Sequence, residues 1–215
     1  HSSHYGRFRQ DELEGYRPEL QPLLEAQIID WVDGIAYNVH DIDDGVEAKI
    51  LEPTALAAGL PIFGEIYENQ AASHRDADAR QLFNESIRAL LDILVSDLIV
   101  ASRARIDAAN VRNVEEVRHH SGRLIEHSPQ VLEQLKSIAQ FLKENLYRCT
   151  EVEKEMQKAR RIIRELVTSY RREPTLLPER HQARIATEEK AIVVGDYVAG
   201  MTDRFALEAH QKLSR

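Results

Sequence analysis

Apolar residues along this chain recur every third or fourth position, the spacing that lines one face of a helix, and no stretch alternates convincingly enough to read as a strand. Ile28, Val32, Ile35, Val39 and Ile42 make the first stripe and predict a helix over about residues 19–43, with that stripe facing the core. Gly45 and Pro53 interrupt the chain after this helix. Gly59, Pro61 and Gly64 divide residues 54–69 into short helices and turns. A long helix is expected from Asp76–Asp78 to about Asp107, its buried stripe being Leu82, Ile87, Leu90, Leu91, Leu94, Leu98 and Ile99. Residues 110–127 are polar and weakly periodic, which predicts a flexible or protruding connection. Ser128-Pro129 then opens a helix, serine as cap and proline in the first turn, carrying Val131, Leu132, Leu135, Ile138, Leu142 and Leu146. Thr150-Glu-Val-Glu153 has the pattern of a capping box ahead of Ile162, Ile163, Leu166, Val167 and Tyr170. Pro174 and Pro178 bound a loop, and a last helix is expected from about Thr187. The implied fold class is all-α, an irregular bundle of long helices. Its expected parts are a lead-in or tag remnant over 1–18, a core portion over 19–110, a flexible connection over 111–127 and a C-terminal helical domain over 128–215.

Composition narrows the function. With 43% hydrophobic and 30% charged residues, the 215-residue chain can bury a core and solvate its surface. A net charge of −8 argues against sequence-independent binding to nucleic acid, which needs a basic face. It also means that any anionic ligand requires local arginine, lysine or a bound cation. The single cysteine, Cys149, allows no intrachain disulfide, and a reducing cytoplasm is the expected setting. No run of about 18 apolar residues is present, so no membrane span is expected. His1 to Asp11 is polar and lacks the apolar segment of a signal peptide.

The first helix carries the candidate chemistry. At about 100° per residue, Tyr37 lies about 40° from Asp33, Asp41 about 80° and Asp44 about 20°. One face therefore gathers three carboxylates and a tyrosine ring, with His40 beside them, opposite the apolar stripe. Periodicity alone favours a solvated acidic face. Against that, like charges one turn apart destabilise a helix by a few tenths of a kcal/mol, and no lysine or arginine lies between Arg17 and Lys49 to relieve them. A divalent cation would, and carboxylates are the hard oxygen ligands that Mg²⁺ or Mn²⁺ takes. Arg88 on the long helix has the fork geometry to reach phosphate oxygens.

The run from Glu25 through Asp33-Gly-Ile-Ala-Tyr37-Asn-Val-His40-Asp41-Ile-Asp-Asp-Gly45 resembles the bacterial deoxyguanosine triphosphate triphosphohydrolase-like proteins of the HD-domain superfamily of metal-dependent phosphohydrolases. Leu90 to Ile99, Tyr147, Leu177-Pro178 and Asp196 to Arg204 match in the same order, so the resemblance covers nearly the whole chain. It implies the C-terminal portion of an enzyme that converts a deoxynucleoside triphosphate to deoxynucleoside and triphosphate with a divalent metal ion, Mg²⁺ or Mn²⁺. It places the last of the metal's ligands at Asp33, the ring that packs on the sugar at Tyr37 and a carboxylate near the sugar hydroxyl at Asp41. It also implies a homo-oligomer. A second acid usual beside the metal aspartate is replaced by Gly34. His40-Asp41 is not the superfamily's His-Asp pair, which belongs upstream of the matching aspartate. With no catalytic residue of its own and only one metal ligand, the chain alone is expected to be inactive. The alternative is a non-catalytic helical regulatory or assembly module whose acidic face binds a basic partner.

Overall fold

The computed structural model describes residues 14–213, all helix, turn and loop, with no strand among them. The expected lead-in over 1–18 falls mostly outside the described residues. The chain divides into two compact units, one ending at Leu146 and the other beginning at Tyr147.

The first unit contains α1 (Leu24–Glu47), α2 (Pro53–Gly59), α3 (Pro61–Ser73), α4 (Ala79–Ala109), α5 (Val114–His119) and α6 (Pro129–Asn145). The helix starts reflect local chemistry. Asp78 caps α4 in a reciprocal box with Gln81: its carboxylate accepts from the Gln81 N–H at 2.8 Å, and the Gln81 side chain accepts from the Asp78 N–H at 3.1 Å. Ser128 caps α6 by accepting from the Val131 N–H, with Pro129 in the first turn, as its sequence predicts. Asn110 ends α4 in the left-handed conformation, φ 50°. Prolines open α2 and α3.

The buried lines of α1 and α4 differ from the predicted ones. On α1 the core side is Gln27, Ile35, Val39, Ile42 and Gly45, whereas Ile28 and Val32 are 42% and 48% exposed. On α4 it is Phe83, Ser86, Leu90, Leu94, Leu98 and Ser102, whereas Leu91 and Ile99 are exposed. The physical reason is the same in both. Hydrogen-bonded polar side chains (Gln27, Ser86, Ser102) take core positions, and the apolar period rotates away from them. Asp97, half-buried near the same line of α4, is tied in likewise.

Gly64 marks the tightest approach to backbone. A Cβ there would sit 2.5 Å from the Ala57 carbonyl oxygen, a backbone atom that cannot swing aside. Gly64→Ala is therefore expected to cost about 1–3 kcal/mol by overpacking, measured as a lowered urea midpoint with unchanged slope.

Residues 111–127, expected as a flexible connection, are held down. They contain α5, and Val117, Leu124, Ile125 and His127 are buried. Helix α6 packs within the first unit: a Cβ on Gly59 would meet the Phe141 ring of α6.

The second unit contains α7 (Thr150–Arg172), a 3-10 turn (Pro174–Leu176), α8 (Glu179–Ile185), α9 (Lys190–Ala199) and α10 (Asp203–Leu213). The single last helix expected from Thr187 is thus α9 and α10, broken at Gly200, with α8 preceding them. Thr150 is the first helical residue of α7 rather than its cap, and Cys149 in the cap position makes no side-chain capping bond. Ile162, Leu166 and Tyr170 of α7 pack with Leu177, Val194, Val198, Ala206 and Ala209, while Ile163 is exposed. Within the motif from Asp196 to Arg204, Asp196 pairs with Arg184 at 2.7 Å and the Thr202 hydroxyl accepts from the Phe205 N–H. His210 of α10 pairs with Glu165 of α7, whose carboxyl is held below its ordinary range chiefly by that hydrogen bond.

Candidate functional site

The loop after α5 determines how α1 presents its outer face. Gln27, fully buried, accepts from the N–H groups of Leu124 and Ile125 at 2.9 and 3.1 Å and donates to the Pro22 carbonyl at 2.8 Å. One turn on, the Trp31 indole N–H donates to the Ile125 carbonyl at 2.9 Å. From α4, Arg105 donates to the Glu126 and His127 carbonyls at 2.7 and 3.0 Å, and the Ser102 hydroxyl accepts from the Glu126 N–H at 3.1 Å. Asp97 accepts from the Ser128 N–H at 3.0 Å and from His127 Nδ1 at 2.9 Å. His127 is fully buried, with its ring 5.1 Å from that of Trp31, edge to face.

The electrostatics of this network are consistent with its geometry. Burial opposes ionisation of Asp97, but hydrogen bonds from the Ser128 hydroxyl and N–H and from His127 outweigh it and hold the carboxyl below its ordinary value. An ionised Asp97 is an acceptor, so the His127 ring presents an N–H to it at Nδ1. Its Nε2 has no hydrogen-bond partner among the described residues.

With α1 fixed on that side, its opposite face is turned outward. Asp33 is exposed and makes no ion pair among the described residues. Tyr37, one turn further, is 61% exposed, and Asp41, one turn beyond, is half-buried. Gly34 shares this stretch, and a side chain there would meet open space. Asp30, three residues before Asp33, belongs to the same face and pairs with Arg123 of the pinned loop at 2.7 Å. Asp33, Asp30, Ile29, Trp31 and Arg123 line one open depression of ≈ 440 Å³.

Arg88 is not among the residues lining that depression. It is exposed on α4 and donates to Glu85 one turn back at 2.6 Å. An exposed i,i+3 pair contributes little, so Arg88→Ala is expected to shift the unfolding free energy by less than about 0.5 kcal/mol, as read by urea titration.

Sequence patterning did not single out Asp30, Arg123, Asp97 or His127. The signal for Asp97 was available as an acid within the apolar run Leu90 to Ile99. Arg123 and His127 carry no local signal, since their significance comes from a contact more than ninety residues away in the chain or from a partner on another helix.

Residues 125–212 match the phosphohydrolase-associated domain. Over 213 residues, 99% of this chain, the sequence is 39% identical to a deoxyguanosinetriphosphate triphosphohydrolase-like protein of Geobacter sulfurreducens, covering 55% of that protein. The corresponding protein of Geobacter metallireducens is 36% identical over the same shares. One of Deinococcus radiodurans is 38% identical over 198 residues, covering 91% of this chain and 52% of that protein. Along nearly its whole length the chain is similar to deoxyguanosinetriphosphate triphosphohydrolase-like proteins. It spans about half the length of the curated relatives it matches.

This similarity directs attention to the outward face of α1, where a metal ligand is expected from the sequence. Among the described residues, no group of three or more His, Cys, Asp or Glu side chains could hold a metal ion. Asp33 is a single exposed carboxylate there and does not by itself make a metal site. No helix among the described residues is long and apolar enough to cross a membrane.

Proposed function

We propose that this chain is the part of a metal-dependent deoxynucleoside triphosphate triphosphohydrolase that supplies the sugar-binding face and one metal ligand. The supporting observation is the placement of Asp33, Tyr37 and Asp41 on successive turns of the outward side of α1, in a chain whose relatives carry the triphosphohydrolase name. In this reading Asp33 provides one carboxylate to Mg²⁺ or Mn²⁺, and the remaining ligands come from polypeptide outside these 215 residues. The Tyr37 ring lies open to a deoxyribose, where close packing disfavours an added 2′-hydroxyl. Asp41, one turn further and half-buried, is read as the acceptor for a sugar hydroxyl. The protein is read as a cytoplasmic homo-oligomer.

The test is triphosphate release from deoxynucleoside triphosphates, followed by ³¹P NMR, in a polypeptide of the relatives' full length that carries this chain. With Mg²⁺ or Mn²⁺ present, the expected products are deoxynucleoside and inorganic triphosphate. The 215-residue chain alone is expected to release none. Failure of the longer polypeptide to turn over any deoxynucleotide with either ion would sink the reading.

A further inference from the structure

The outward face of α1 poses an electrostatic problem for its own proposed ligand. Asp30, Asp33, Asp41, Asp43 and Asp44 all lie on α1, in a chain of net charge −8, and α1 contains no lysine or arginine. A triphosphate brought to that face meets carboxylates unless another segment supplies positive charge. One segment does. Arg123 reaches across from the loop after α5, with its guanidinium 2.7 Å from Asp30 and lining the same depression as Asp33.

We propose that Arg123 is a phosphate-binding residue that contacts the polyphosphate oxygens of the ligand whose sugar lies against Tyr37. This rests on the reading of the α1 face as a nucleotide site. A guanidinium has five N–H donors in a planar fork. Asp30 occupies only Nη2, and Arg123 makes no other side-chain hydrogen bond among the described residues. The side chain is one-third exposed, and it borders the depression. One edge of the fork is thus fixed by a carboxylate, leaving donors for phosphate oxygens, which suit the fork geometry.

The backbone around Arg123 is also preorganised. The next two residues, Leu124 and Ile125, are buried and bonded to Gln27 and Trp31 of α1. The loop is therefore held without Arg123, and a partly exposed ion pair such as Arg123–Asp30 adds at most about 1 kcal/mol. What the arginine adds is a positive charge bordering the depression that Asp33 also lines, without the cost of ordering a loop on binding.

Binding measurements in the full-length polypeptide, with Mn²⁺ present, test this using inorganic triphosphate, deoxyguanosine and deoxyguanosine triphosphate as probes. Arg123→Gln is expected to weaken triphosphate and deoxyguanosine triphosphate by roughly 10–100-fold and to leave deoxyguanosine unchanged. Arg123→Lys, which keeps the charge and loses the fork, is expected to fall between. The unfolding free energy of both variants, read by urea titration, should match that of the parent within about 1 kcal/mol and exclude a collapsed loop. Triphosphate binding by Arg123→Gln equal to that of the parent overturns the proposal. If Asp33→Asn and Tyr37→Ala lose nucleotide affinity in the same experiment, the proposal alone has failed. If those two bind nucleotide as the parent does, the reading of the α1 face has failed with it.

Discussion

Asp97→Ala is expected to lower the stability of the first unit by about 2–4 kcal/mol, the range for leaving buried polar groups unpaired. Truncation deprives two groups at once. His127, fully buried, loses the acceptor for its Nδ1–H, and the Ser128 N–H at the start of α6 loses its acceptor as well. His127 cannot turn to water without opening the packing around Trp31. The measurement is urea denaturation followed by Trp31 emission. Trp31 is the only tryptophan and lies in the first unit, so the signal reports that unit even if the second melts separately. Asp97→Asn is expected to fall between parent and alanine, since an amide still offers an acceptor but not the charge.

The same pair predicts a pH dependence of definite sign. The Asp97 carboxyl is held below its ordinary value of ~4 in the folded protein. The unfolded chain therefore binds that proton first as pH falls. The contribution to stability is fully present above the ordinary carboxylate value and is lost as pH drops through the lowered one. The stability gap between parent and Asp97→Asn should be constant near neutrality and should narrow below about pH 4. A gap that widened on acidification would contradict the hydrogen-bond account of Asp97.

The helical class, the extent of α4 and the Ser128 cap were legible from the sequence, because each is written in residues close together along the chain. The orientation of α1 was legible for its C-terminal half, where Ile35, Val39 and Ile42 have no polar competitor. It was not legible for the N-terminal half. There Gln27 occupies a core position that hydropathy assigns to Ile28, and only the two N–H groups of a loop almost a hundred residues away make a buried glutamine stable. The loop departs from its composition for the complementary reason. Residues 111–127 are polar, yet part of their backbone is satisfied by side chains of α1 and α4, a pattern that composition cannot distinguish from exposure to water. The site divides in the same way. Asp33, Tyr37 and Asp41 emerge from the period of one helix, whereas Arg123, Asp97 and His127 acquire their roles only when that helix, α4 and the loop are brought together.

Asp33→Asn is expected to have the largest effect on function. In the full-length polypeptide the substitution should weaken Mn²⁺ binding by more than about 100-fold, since altering even the partners of metal ligands costs about 10–100-fold. Triphosphate release should fall at least as far. The fold should be indifferent. Asp33 is exposed, makes no ion pair among the described residues and lies off the buried side of α1. Removing its charge also relieves repulsion from Asp30, on a helix without a cation of its own. The urea midpoint of Asp33→Asn should therefore equal or slightly exceed that of the parent while activity is lost. That combination separates a ligand from a structural acid. A structural carboxylate would lower stability and activity together, as Asp97 of α4 is expected to do. Unchanged Mn²⁺ affinity in a stable Asp33→Asn protein would remove the metal from this face and leave α1 as a solvated acidic surface.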